Sequence, residues 1–204
     1  MKRVFVVAAA AGLALASSAY AEPNPFAKNY SVIFDQGIPI PDAVNAPGVL
    51  TSIVNVPDVG LIESLDYVWI DIAHTYVGDL TFRLDGPAGA GVVMLDRPGV
   101  PPGTFGNSDD LDAVYFFVPG GVMFPEDATV VGLVPSGAYE PVDSFNRFDN
   151  TQKFGDWTLT ITDSAGGDTG VLRGWGFGVT NVPAPGALAL MGLGGLVAAR
   201  RRRV

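Results

Sequence analysis

The acidic side chains are the residues best equipped for chemistry in this sequence. Asp outnumbers Glu by 17 to 4, and short carboxylates favour tight turns and oxygen-rich cation sites. Asn107-Ser108-Asp109-Asp110-Leu111-Asp112 offers what calcium takes, about six to eight oxygens from carboxylates, amides and carbonyls on a flexible loop. Asp109, Asp110 and Asp112 are the expected ligands, with Asp79, just beyond a strand end, as an outside member. Residues 163–168 form a second, sparser acidic loop. Neither follows the EF-hand order, and both also read as solvated turns. Calcium is therefore the one cofactor expected. Zinc is not, because one His and no Cys leave too few nitrogen and sulfur ligands.

No catalytic residue is expected. His74 is the single histidine, and a lone His at a strand end reads as a partly buried ring hydrogen-bonded to backbone or to Asp79. Trp69, Trp157 and Trp175 are expected in the core, while Phe145, Phe148 and Tyr139 fall in loops as contact residues for a ligand or a lid. Exposed aromatic rings on a β-sandwich could stack on sugars.

Gly and Pro punctuate the chain every 8 to 15 residues, with apolar residues at period two between them. That is the pattern of short antiparallel strands. Strands are expected at 30–34, 50–56, 65–74, 79–84, 91–95, 113–118, 129–133, 156–162 and 172–180. In 65–74 both faces carry large apolar groups, so it reads as a central strand covered on each side. In 172–180, Trp175, Phe177 and Val179 alternate with Gly174, Gly176 and Gly178, and so bare a face implies close approach of a neighbour. Eight or nine such strands predict an all-β fold, an antiparallel jelly-roll-like sandwich of the galactose-binding-like kind, in one domain.

Both ends read as targeting segments. Met1-Lys2-Arg3, an apolar stretch over 4–16 and Ala19-Tyr20-Ala21 make a secretory signal over 1–21, with cleavage expected between Ala21 and Glu22. The domain is expected over 22–181, and a second short apolar segment lies in 182–204. There Val182, Pro183, Ala184 and Pro185 precede an apolar run over 186–199 and Arg200, Arg201, Arg202 and Arg203. A basic stop after a short apolar segment implies transient membrane contact. This end resembles the PEP-CTERM sorting signal of Gram-negative bacteria, with Ala184 where the family usually has Glu. The resemblance implies processing by an exosortase and an exported protein of the cell envelope, cell surface or extracellular space. Between the ends, 21 acidic residues meet six basic ones, a formal −15, which repels nucleic acid and anionic polymers.

The segment His74-Thr75-Tyr76-Val77-Gly78-Asp79-Leu80 resembles the P domain (P/Homo B domain) of proprotein convertases, whose His-x-Tyr-x-Gly-Asp-Leu element links two strands. Leu84-x-x-Pro87, Phe148 with the Gly155–Leu159 strand around Trp157, and Gly170-x-Leu172 followed by Trp175 continue the likeness in order. In that family the domain accompanies a subtilisin-like catalytic domain. Here one His and no Gly-Thr-Ser nucleophile segment fall short of a Ser-His-Asp triad. Two roles follow as expectations: a non-catalytic accessory or binding module acting on an extracellular protein or polysaccharide, and a proteolysis-linked component that stabilises or targets a separate serine protease.

Overall fold

The structure is a computed structural model that describes residues 27–101 and 105–183. The signal region with Ala21 and Glu22, and Ala184, Pro185 and the four arginines, lie outside the described residues. Nine strands run in order: β1 (Ala27–Ile40), β2 (Gly48–Val56), β3 (Ile62–His74), β4 (Leu80–Asp85), β5 (Gly91–Asp96), β6 (Leu111–Val122), β7 (Ala138–Tyr139), β8 (Gly155–Asp163) and β9 (Gly170–Asn181). They form a β-sandwich. One sheet has the order β1-β9-β3-β6-β7 and the other β2-β8-β4-β5. All pairings are antiparallel except that of the short β7 with β6.

The period-two pattern decides which side chains fill the space between the sheets. From β3, Val68, Ile70 and Ile72 are buried, and from β8, Trp157, Leu159 and Ile161, all at 0 % exposure. Trp175, Phe177 and Val179 of β9 face the same interior. Trp157 lies 4.5 Å from Phe177 and 5.0 Å from Phe148 between ring centroids. Its indole N–H is satisfied by the Lys153 carbonyl at 2.9 Å. The sheets are also joined by a polar contact, Trp175 Nε1 donating to Ser52 Oγ on β2 at 2.8 Å. The separated sequence elements of the P-domain likeness meet in space. Gly86 packs under Phe148 and Trp157, and Pro87 covers Gly155.

Several expectations need correction. Residues 129–133 form a turn rather than a strand, with Gly132 at φ +68 and a single bridge from Leu133 to Asp110; the unforeseen strand is β7. Asp79 belongs to a 3₁₀ turn, Val77–Asp79, ahead of β4. Phe145, Phe148 and Tyr139, read as loop contact residues, are buried at 2 %, 0 % and 4 % exposure. β3 is central in its sheet, but among the described residues a second layer covers one of its faces only. Trp69, expected in the core, lies half-buried on the outer face.

Candidate functional site

Strand phase brings His74 and Asp163 together. His74 ends β3 in step with Val68, Ile70 and Ile72, and Asp163 ends β8 in step with Trp157, Leu159 and Ile161, so both point into the same end of the interior from opposite sheets. His74 Nε2 lies 3.3 Å from Asp163 Oδ2, with side-chain exposures of 0 % and 1 %. The other ring nitrogen, Nδ1, is 3.1 Å from the Tyr76 N–H and 3.0 Å from the Tyr76 carbonyl. With Nε2–H donating to the carboxylate, Nδ1 accepts from the Tyr76 N–H. The second oxygen of Asp163 accepts from Ala165 N at 3.2 Å. Of the two partners expected for His74, the backbone is present at Tyr76, while the carboxylate is Asp163 rather than Asp79. Parity along 156–163 was the sequence signal for it: Asp163 continues the buried register of Trp157.

The remaining motif residues build the walls of this corner. A Cβ on Gly170 would come 2.3 Å from His74 Cδ2 and 2.7 Å from the Ala73 carbonyl, so only glycine lets β9 cross the ring. A Cβ on Gly78 would meet the Phe105 carbonyl at 2.7 Å and the Asn107 backbone at 2.8 Å, and Gly78 N donates to Asn107 O at 2.8 Å. Asp79 is 4 % exposed, with Arg97 3.9 Å from its Oδ1, while its carbonyl accepts from Ser164 N. Burial, then the charges of Asp163 and Asp168, push its carboxyl above the ordinary range, against the pull of Arg97 and His74. Asp163 is likewise raised by burial, against the hydrogen bond from Ala165 and the pull of His74. Leu80, Leu172, Trp157 and Trp175 belong to the core.

Above this corner lies an open cleft of about 520 Å³ between the end of β3 and the starts of β6 and β9. Thr75 and Thr169 bracket one side, Asp110 and Asp112 the other, and Val131 with Leu133 form an apolar lip. Thr75 Oγ1 donates to Asp168 Oδ1 at 3.0 Å and accepts from Thr169 N at 3.0 Å. His74 belongs to the lining, with its side chain at 0 % exposure.

The expected calcium ligands are not gathered. Among the described residues no three acidic or histidine side chains form a metal-sized group. Asp112 is held by Arg173 at 2.7 Å, Asp110 is exposed at the cleft, and Asp79 faces Arg97. Asp109 differs from the other three. It is 0 % exposed, its Oδ2 accepts from Thr129 N at 2.7 Å, and its Oδ1 has no hydrogen-bond partner. An orphaned buried carboxylate oxygen is costly and is chemically suited to a hard cation completed by backbone carbonyls.

Residues 181–203 match the PEP-CTERM protein-sorting motif, which covers Val182 to Pro185 and the arginine cluster. The chain is an exported protein with a C-terminal, membrane-associated sorting signal. Curated relatives include the calcium-dependent proteases of Trichormus variabilis and a Nostoc species, 32 % and 31 % identical over 109 residues. The match covers 52 % of this chain but 12 % of those proteins, so the chain spans about an eighth of their length. Among solved structures, the serine protease of Aeromonas sobria, in complex with its chaperone and free, aligns with 78 % and 80 % of the chain. The identity is 16 % and the TM-scores are 0.44 and 0.45, with 26 % and 28 % of those chains covered. Likeness at that level carries no inference about this chain.

Proposed function

We propose that this chain is an exported, non-catalytic module of the P-domain type, acting by binding at the surface of the cell envelope or in the extracellular matrix, with its sorting signal processed by an exosortase. The observation that carries the reading is the burial of the single histidine. Nδ1 faces Tyr76 and Nε2 faces Asp163, neither meets a hydroxyl nucleophile among the described residues, and the ring has 0 % exposure. A general base must reach the proton it removes, and this one is enclosed as a tie between the two sheets. The family motif residues His74, Tyr76, Gly78, Asp79, Leu80, Gly170 and Leu172 thus serve the corner that joins β3, β4, β8 and β9.

A second reading is favoured by the relatives named as calcium-dependent proteases. In it the module stabilises or targets a separate subtilisin-like serine protease, and calcium occupies a site at Asp109. One assay tests the non-catalytic claim: the purified full chain is incubated with casein and peptide substrates, with calcium and with chelator. No turnover is expected. Hydrolysis that disappears in His74→Ala while the variant remains folded would overturn it.

A further inference from the structure

The outer face of the five-stranded sheet carries aromatic rings that the core does not use. Tyr67 and Trp69 of β3 point outward and are only half-buried, and Phe116, paired with Trp69 across β3 and β6, is 39 % exposed. On the neighbouring strand the residues opposite Tyr67 and Trp69 are Gly178 and Gly176, with Gly174 next along the same face. A Cβ at 176 would lie 2.8 Å from Trp69 Nε1, and one at 178 would lie 2.5 Å from Tyr67 Cε1. A Cβ at 174 would lie 3.4 Å from Trp69 Cη2. The Nε1–Cη2 edge of the indole therefore runs along the bare face of β9.

Glycine inside a strand costs stability, and three in alternation on a central strand cost it repeatedly. In exchange, Tyr67 and Trp69 find room against β9 while staying half-exposed, and Tyr67 meets Phe116 edge-on, with ring centroids 6.1 Å apart and planes at 62°. Their rim is polar. Tyr67 Oη donates to Asn29 Oδ1 at 2.9 Å, fixing the ring, and exposed Ser31 lies beside the edge of Trp69. The indole N–H groups of Trp157 and Trp175 are satisfied inside the core, whereas Trp69 stands on the outer face. Half-exposed aromatic rings bordered by polar groups suit a ligand with apolar C–H faces and a hydroxyl edge. The formal −15 of residues 22–181 disfavours an acidic polymer and also a second copy of this chain.

We propose that Tyr67, Trp69 and Phe116 form a binding platform for a neutral polysaccharide, its pyranose rings stacked on Trp69 and Tyr67 and its hydroxyls bonded to Asn29, Ser31 and the indole N–H. The proposal rests on the reading of the chain as a binding module and names its ligand class. Affinity electrophoresis of the full chain in gels containing laminarin, hydroxyethylcellulose, dextran or alginate tests it. Retardation by at least one of the three neutral glucans is expected, with none by alginate. Trp69→Ala should weaken it at least tenfold. Ser31→Arg, which adds a long side chain over the platform from an exposed position, should do the same without touching the core. Migration unaffected by all three neutral glucans would overturn the proposal, as would retardation that survives both variants. Failure here leaves the absence of hydrolysis as a separate result, so the two readings fall independently.

Discussion

Replacing His74 by alanine removes the imidazole whose Nε2–H hydrogen-bonds Asp163 inside the sandwich. The pair is at 0 % and 1 % side-chain exposure and 3.3 Å apart, so the lone carboxylate would stay buried with a single backbone donor, Ala165 N. Breaking one side of a buried pair costs about 3–5 kcal/mol. For a domain of this size each kcal/mol lowers Tm by about 2–4 °C, so the expected fall is about 6–20 °C. Asp163→Asn keeps an acceptor for Nε2–H and removes the buried charge, so it should lose far less. In the double variant the amide replaces the stranded carboxylate, so the combined loss should be smaller than the sum of the single losses. Thermal unfolding followed by circular dichroism measures all three. A fall of less than about 3 °C for His74→Ala, or strict additivity in the double variant, would refute the claim that this pair ties the sheets together.

Gly170→Ala drives a methyl group to 2.3 Å from His74 Cδ2, and overpacking of this kind costs about 1–3 kcal/mol; an unchanged urea midpoint would show that the ring has room to move. Asp79 has its proton affinity raised above the ordinary 3.8 by burial, then by Asp163 and Asp168. The folded state therefore holds that proton more tightly than the unfolded one. The stability it contributes is full below 3.8 and is lost as pH rises through the folded value. Asp79→Asn should flatten that part of a Tm-against-pH series, and parallel profiles would contradict it. Calcium bound at Asp109 should raise Tm relative to chelator, by about 2.7 kcal/mol of stability at a hundredfold excess over Kd. Asp109→Asn should erase the difference, and identical melts of the wild type would discard the site.

Local chemistry in the chain was enough to specify the strands and most of their faces. Alternation in 65–74, 156–162 and 172–180 is a one-dimensional property, and because side chains on a strand have a period of two, it fixed which residues of β3, β8 and β9 would be buried. The sorting signal was equally local, since a short apolar run stopped by arginines is read without a fold. What the sequence could not supply was the pairing of elements distant along the chain. Asp163 lies 89 residues from His74, and only the stacking of β8 opposite β3 makes it the partner in preference to nearby Asp79. The same limit applied to 107–112. Three carboxylates adjacent in sequence looked like one site, but strand direction at the start of β6 turns Asp109 inward and sends Asp110 and Asp112 outward. Trp69 shows the reverse case: its strand was legible, but whether a second layer covered its outer face depended on sheet order, which places glycine-lined β9 beside it and leaves the ring facing solvent.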